Sequence, residues 1–119
     1  MTRILVVEDD EAVRSFTARA LKADGHDVAT ASDGGEGLDS VLAEEFDLVV
    51  SDIRMPVMDG IEMAGHIRAS RPAQKILLMT GYAHQRERFA ELKGTVLGVV
   101  DKPFTLKQIR DAVKDAIAA

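Results

Sequence analysis

Residues 47–52, Asp47-Leu48-Val49-Val50-Ser51-Asp52, decide the fold, because a short apolar run ends there in a hydroxyl and a carboxylate. A run this short and rich in Val and Leu is typical of a strand buried on both faces of a parallel sheet. Similar runs occur at residues 4–7, 76–79 and 97–100, and a less apolar one at 27–31 suits a sheet edge. We therefore expect five strands.

Segments with helical periodicity separate these runs. Apolar residues recur three and four positions apart in stripes that begin at Val13, Leu38, Ile61 and Leu106, and a poorer stripe lies at residues 84–93. Strands that alternate with helices predict a parallel sheet with helices on both faces. In such sheets ligands bind at the carboxyl ends of the strands, so the residues that end each strand are the candidates for function.

Composition limits the classes of function. One domain, residues 1–119, is the default for this length, and the hydrophobic fraction of 46% is enough for a core. No apolar run approaches the roughly 20 residues of a membrane span, so no membrane partner is expected. The absence of cysteine excludes disulfides and thiolate metal sites, and it fits a cytoplasmic location. The net charge of -5 disfavours direct nucleic-acid binding, because phosphates would repel it.

The strand ends supply groups that complement one another. Glu8-Asp9-Asp10 follows the first run, Asp52 the third, Thr80 the fourth and Lys102 the fifth. Clustered carboxylates with water form a site for a hard cation such as Mg²⁺, with Mn²⁺ as the alternative. A carboxylate is also a nucleophile toward phosphorus, and a hydroxyl and an ammonium group hold phosphoryl oxygens. The sequence therefore predicts phosphoryl chemistry at Asp52.

Each of these residues alone has a plainer interpretation. Asp9 fits a helix cap or a solvated turn, and Asp52 is evenly balanced between capping and chemistry. Thr80 alone is usually a turn hydroxyl, Lys102 alone is usually solvated, and Asp10 is expected to cap the next helix. The joint pattern favours function, since four strand ends would otherwise have to supply complementary groups by chance.

Over essentially its whole length, the chain resembles the receiver domains of two-component response regulators. The resemblance lies in residues 4–10 and 47–60, in Thr80-Gly81-Tyr82 and in Lys102-Pro103-Phe104. The stretch from Asp52 through Met55-Pro56 to Asp59-Gly60 is the most specific part. The resemblance implies a flavodoxin-like (βα)5 doubly wound α/β sandwich, whose five-stranded parallel sheet has the order 2-1-3-4-5.

The resemblance also implies how a phosphoryl group is held. Asp52 would accept it from a histidine, on a sensor histidine kinase or a histidine phosphotransfer protein. Thr80 would bond a phosphoryl oxygen, and Lys102 would contact the phosphoryl group or the Asp52 carboxylate. The Lys102–Pro103 peptide bond would be cis, which aims the lysine.

The metal ligands follow from the same resemblance. Asp9 and Asp52 would bind Mg²⁺ directly, and Glu8 would act in the same acidic pair through water. The backbone carbonyl of Arg54 would also bind the ion, so this role does not depend on its side chain. Asp59 is expected to cap a helix and to take no part in the chemistry.

Two positions concern how phosphorylation would change the rest of the domain, because the residue at the usual switch position departs from the receiver pattern. Val99 stands three residues before Lys102, where many receivers carry the Tyr or Phe that acts as a switch. Tyr82 is the candidate replacement, although a partly exposed loop aromatic is an equal interpretation. Arg54 and Tyr82 would flank the phosphoryl group and tune its lifetime, which the autodephosphorylation rates of Arg54→Ala and Tyr82→Ala test.

The expected output is a change of surface. Phosphorylation would repack residues 83–116, which include the predicted fourth helix, the fifth strand and most of the last helix, for an unknown downstream protein. The short ends favour a stand-alone receiver, a group that includes protease adaptors, over a domain of a multidomain regulator or hybrid histidine kinase. We expect no enzyme activity beyond the chain's own phosphorylation and autodephosphorylation.

Two other classes compete with the receiver interpretation. A haloacid-dehalogenase-like phosphatase also uses a strand-end aspartate, but two residues later it needs an acid-base aspartate, where this chain has Arg54. A flavodoxin-like flavin binder needs a loop that cradles phosphate after its first strand. Here that loop is Glu8-Asp9-Asp10, which repels phosphate unless a metal is bound.

Overall fold

A five-stranded parallel sheet forms the centre of the molecule in a computed structural model, which describes residues 2–81 and 96–119. Its strand order is β2-β1-β3-β4-β5, as predicted. The strands are β1 (Arg3–Val7), β2 (Asp27–Ala31), β3 (Leu48–Asp52), β4 (Ile76–Thr80) and β5 (Gly98–Asp101). The described residues also form four helices: α1 (Glu11–Ala23), α2 (Gly34–Ala43), α3 (Gly60–Ser70) and α4 (Leu106–Ala118).

The strand predictions differ from the structure only at their ends. β3 and β4 include Asp52 and Thr80, so both polar residues belong to the buried strands and not to the loops that follow. β5 begins at Gly98, and the prediction that it begins at Leu97 was one residue too early. The backbone of Leu97 still donates to the Ile76 carbonyl, at 2.8 Å, just before the strand starts. The helix predicted at residues 84–93 lies outside the described residues.

The alternation of side chains along each strand divides the core into two layers. Leu5 and Val7 of β1 belong to the layer that α2 and α3 cover, whereas Ile4 and Val6 belong to the layer beneath α1 and α4. β3 and β4 are buried along their full length, which is why their sequences read as continuous apolar runs. Because helices cover both faces of the sheet, the central strands β1, β3 and β4 are accessible mainly at their ends.

Side-chain caps fix where each helix begins after its strand. Asp10, Asp33 and Asp59 each accept a hydrogen bond from the backbone N–H three residues later, and Thr105 does so within a capping box. The predicted cap roles of Asp10 and Asp59 are therefore confirmed. Because the caps of α1 and α3 lie close behind β1 and β3, they limit the freedom of the loops that carry the acidic residues.

The loop between β3 and α3 contains a strained turn at Val57. The backbone N–H of Met58 donates to the carbonyl of Pro56 at 2.8 Å, so the chain reverses across Val57, whose φ is 71°. A β-branched residue rarely adopts a positive φ, and such a conformation costs about 1–3 kcal/mol. The Val57 side chain is 83% exposed and recovers little of this cost through burial.

Replacing Val57 with glycine is expected to stabilise the protein by about 1 kcal/mol. Glycine adopts a positive φ without strain, although its greater freedom in the unfolded chain offsets about 0.5–1 kcal/mol of the gain. Urea unfolding of Val57→Gly and the native protein measures the difference. A lower free energy of unfolding would show that contacts of the Val57 side chain outweigh the strain.

Candidate functional site

The carboxyl ends of the central strands bring the predicted polar residues together. Because β1, β3 and β4 are neighbours in register, Glu8 and Asp9 after β1 lie beside Asp52 at the end of β3. One carboxylate oxygen from each of Glu8, Asp9 and Asp52 lies within 4.8 Å of the others. Lys102, immediately after β5, reaches the same point. The convergence predicted from the sequence is therefore present.

The Asp52 carboxylate is held at both oxygens. Its Oδ1 accepts a hydrogen bond from the backbone N–H of Ile53 at 2.9 Å, and its Oδ2 lies 3.1 Å from the ammonium group of Lys102. The residue is only 7% exposed, but it lines the floor of an open cleft of about 830 Å³. A carboxylate with fixed orientation at the floor of an open cleft is accessible to a reactant from one side only.

Glu8 is the most deeply buried member of the cluster. It is fully buried, and its Oε1 accepts a hydrogen bond from Lys102, whereas its Oε2 has no hydrogen-bond partner. Burial and the neighbouring Asp52 carboxyl raise the pKa of Glu8 to about 8, although Lys102 opposes the shift. At neutral pH, Glu8 therefore holds a proton in the absence of a cation.

The pKa of Lys102 is also raised, although burial acts on it in the opposite sense. Burial alone lowers the pKa of its ammonium group, but the hydrogen bond to Glu8 and the charge of Asp52 outweigh burial, so the pKa lies above its ordinary value. The side chain is 19% exposed and paired with two carboxylates. The solvated lysine that its sequence position alone suggests is therefore not what the fold produces.

The donor set fits a divalent cation. A buried carboxyl oxygen without a partner is costly, and Glu8 Oε2 is such an atom at the edge of the cluster. When a cation displaces the Glu8 proton, three carboxylates lie beside the Lys102 ammonium group, which leaves negative charge for that cation to balance. Oxygen ligands of this kind suit Mg²⁺, which takes one or two carboxylates and completes its shell with water.

The remaining predicted site residues occupy different places. Thr80 is buried at the end of β4, and its carbonyl accepts the backbone N–H of Lys102 at 2.8 Å. The exposed Arg54 lines the same cleft as Asp52, and the Lys102–Pro103 peptide bond is cis, as the resemblance implies. Val99 is half-buried and packs against the core layer beneath α2 and α3.

The tuning and switch roles that were predicted remain predictions. Tyr82 lies outside the described residues, so its placement beside the site has no structural test. Arg54 lines the cleft beside Asp52, and its effect on the lifetime of a phosphoryl group stays a prediction.

The chain matches the family model described as the response regulator receiver domain over residues 4–114. The chain belongs to this family. Response regulator MprA of Mycolicibacterium vanbaalenii is 38% identical to this receiver domain over 107 residues, which are 90% of this chain and 46% of MprA. Sensor kinase CckA of Brucella abortus is 39% identical, over 96% of this chain and 12% of CckA. The receiver domain thus spans about half the length of MprA and a small part of CckA.

Solved structures resemble this receiver domain over nearly its full length. The response regulator TrrA of Thermotoga maritima, in complex with Mg²⁺-BeF, has a TM-score of 0.89 and 34% identity, covering 98% of this chain and 99% of TrrA. A CheY-like receiver domain protein of Methanospirillum hungatei has a TM-score of 0.91 and 30% identity, covering 99% of this chain and 94% of that protein. The flavodoxin-like fold predicted from the sequence is confirmed.

Two residues that support the site of this receiver domain escaped the sequence analysis. Arg14 donates from Nη1 to the carbonyl oxygen of Glu8 at 2.8 Å, a contact between residues six apart for which the sequence offers no signal. Gly60 lies against the backbone of Asp52, so that an added Cβ atom would collide with the Asp52 carbonyl. Gly60 ends the stretch that carries the resemblance, but no pattern in the sequence indicated its contact with Asp52.

No helix within residues 2–81 or 96–119 has the length and apolar character that crossing a membrane requires.

Proposed function

We propose that this receiver domain accepts a phosphoryl group on Asp52 from a phosphohistidine, in a reaction that depends on Mg²⁺, and thereby changes its surface for a downstream protein. One observation carries the proposal. The Asp52 carboxylate lies at the floor of an open cleft, between a lysine ammonium group and two further carboxylates. The competing role of Asp52 as a helix cap has no support, because Asp59 caps the helix that follows.

The chemistry requires one bond to form and one to break. An oxygen of Asp52 attacks phosphorus, while the bond from phosphorus to the imidazole nitrogen of the donor breaks and leaves its electron pair on the imidazole. The protein contributes orientation and charge and no proton transfer at Asp52, since this carboxylate is already the nucleophile. The backbone N–H of Ile53 orients the carboxylate through its hydrogen bond to Oδ1.

Lys102 and Thr80 would hold the product. The Lys102 ammonium group, 3.1 Å from Asp52 Oδ2, is placed to contact a phosphoryl oxygen on that carboxylate. Thr80 ends the neighbouring strand and is joined to Lys102 through the backbone hydrogen bond, so the two residues would respond together. The phosphoryl group carries about -1.5 to -2 charges in place of the single charge of the carboxylate, and it brings new oxygens that both residues would contact.

Asp9, Asp52, the backbone carbonyl of Arg54 and Glu8 would hold Mg²⁺, with Mn²⁺ as a substitute. The ion would neutralise charge on the incoming phosphoryl oxygens. The Mg²⁺-BeF complex of the related TrrA supports a role for Mg²⁺, because a fluoride of beryllium occupies the volume of a phosphoryl group.

The phosphoryl donor and the downstream protein are proposed by class and not as individual proteins. A sensor histidine kinase or a histidine phosphotransfer protein would supply the phosphoryl group, and CckA, a sensor kinase, contains a segment similar to this chain. The output surface would include β5 and α4, with Val99 in place of the usual aromatic switch. We expect no catalytic turnover of other substrates, and the cytoplasmic location stays a prediction.

Incubation with Mg²⁺ and acetyl phosphate tests the proposal. We expect the native protein to gain one phosphoryl group by intact mass, and Asp52→Ala to gain none. Asp9→Asn is a second variant that keeps the nucleophile, and it should need much more Mg²⁺ for the same yield. An equal gain of mass on Asp52→Ala would exclude Asp52 as the acceptor, and many turnovers with phosphate esters would favour the phosphatase alternative.

A further inference from the structure

Arg14 contacts the acidic site through the backbone and not through a carboxylate. It lies on the first turns of α1, and its Nη1 donates to the carbonyl oxygen of Glu8 at 2.8 Å in a partly buried hydrogen bond. The carbonyl of Glu8 belongs to the peptide group that joins Glu8 to Asp9. A charged donor makes this bond stronger than an ordinary backbone hydrogen bond.

The turn that carries Asp9 is fixed on both sides. On the strand side, the backbone N–H of Glu8 donates to the carbonyl of Ala31 at 3.1 Å, which extends the pairing of β1 with β2 by one residue. On the helix side, Asp10 caps α1 by accepting the N–H of Val13 at 3.1 Å. The Glu8–Asp9 peptide between these two anchors is held by Arg14.

We propose that Arg14 is a positioning residue of the cation site: by holding the carbonyl oxygen of Glu8, it fixes the peptide plane that presents the Asp9 carboxylate beside Asp52. This inference rests on the proposed function only for the identity of the ion. Without the guanidinium, the peptide plane can rotate, and the exposed Asp9 carboxylate spends less time facing the cluster. Cation binding must then also order the turn, and this entropic cost lowers the affinity for the cation.

The direction in which cation affinity changes when Arg14 is removed distinguishes a positioning role from an effect of its charge alone. A positive charge near three carboxylates repels a cation, so if Arg14 acted only through its charge, removing it would strengthen cation binding. A positioning role predicts the opposite. Groups that orient metal ligands without touching the metal typically contribute about 10–100-fold in metal affinity.

Isothermal titration with Mg²⁺ in the absence of any phosphodonor tests the inference. We expect Arg14→Met, which keeps the apolar stem and removes the donors, to weaken Mg²⁺ binding by about 10–100-fold. Arg14→Lys, which keeps a charged donor, should recover most of the affinity. Arg19→Ala is the matched control, since it removes the same charge from an exposed position of the same helix, and its affinity should be unchanged or slightly higher.

One result of the titration would overturn the inference. Mg²⁺ affinity that is unchanged or tighter in Arg14→Met, with the variant folded by circular dichroism, would show that Arg14 does not position the site. If Arg14→Met does not fold, Arg14→Gln takes its place, because the shorter amide cannot span the same distance, and the same loss is expected.

Phosphorylation by acetyl phosphate over a range of Mg²⁺ concentrations provides a second readout. We expect Arg14→Met to need about 10–100-fold more Mg²⁺ for half-maximal rate, and to reach nearly the native rate at saturation. A lower maximal rate with unchanged Mg²⁺ dependence would contradict a role in positioning the cation ligand. If the native protein binds Mg²⁺ but takes no phosphoryl group, the proposed function fails, while the calorimetric comparison of the variants still decides the role of Arg14.

Discussion

Gly60→Ala is expected to lower the free energy of unfolding by about 3 kcal/mol, because the new methyl group has no space. A Cβ atom at this position would lie 3.0 Å from the Cα of Ile53 and would collide with the backbone carbonyl of Asp52. The Gly60 N–H also donates to the carbonyl of Ile53 at 2.7 Å, so the close approach is part of how α3 joins the strand that carries Asp52.

Gly65→Ala is the matched control on the same helix. Gly65 is exposed, and an added Cβ atom there meets nothing within 4 Å. Alanine favours a helix by up to about 1 kcal/mol over glycine, so this variant should be more stable than the native protein. Urea unfolding of the two variants measures both effects. Equal stabilities for Gly60→Ala and Gly65→Ala would show that the Asp52 backbone yields to the methyl group without cost.

Without divalent cations, the protein is expected to lose roughly 3–5 kcal/mol of stability as the pH rises from about 5 to about 8, because the pKa of Glu8 is raised from 4.5 to about 8. Over most of this range the folded protein keeps the Glu8 proton, whereas most of the unfolded chain has released it. The folded state therefore binds more protons, and stability must fall as protons become scarce. Above about pH 8, Glu8 is ionised in both states and its contribution no longer changes.

Urea unfolding at several pH values in a chelating buffer measures this dependence. Glu8→Gln keeps the size of the side chain and does not titrate, so its stability should lack the same decline. Mg²⁺ binds the ionised carboxylates, and its stabilising effect should therefore be larger at pH 8 than at pH 6. Stability of the native protein that stays level or rises between pH 5 and pH 8 in chelator would contradict the buried, protonated state of Glu8.

The sequence predicted the architecture because local and global signals agree in this chain. The runs at residues 48–50 and 76–79 are apolar throughout, and the fold buries both faces of these strands. The cap residues Asp10 and Asp59 form the bonds that their positions suggested. The strand order, in contrast, came from the resemblance to receivers, since periodicity does not state which strands are neighbours.

The residues that form the site were predictable from the sequence, but the hydrogen bonds and ion pairs among them were not. Parallel strands end at one edge, and with the strand order implied by the resemblance, the residues after β1 and β5 are expected to meet Asp52 at the end of β3. Which oxygen of Glu8 meets Lys102, and which is left without a partner, depends on side-chain geometry that no pattern encodes. Arg14 was not predicted for the same reason, because a hydrogen bond from a side chain to a backbone carbonyl produces no periodic pattern in the sequence.

If Asp52 itself carries the phosphoryl group, locating the modified residue distinguishes it from the neighbouring carboxylates. The native protein would be treated with acetyl phosphate and Mg²⁺, and the acyl phosphate reduced with borohydride, which converts the modified aspartate to homoserine. Sequencing of the peptides by mass spectrometry then identifies the position. We predict homoserine at residue 52 alone and only when Mg²⁺ is present; homoserine at residue 9 or 59 with residue 52 unmodified would contradict the account.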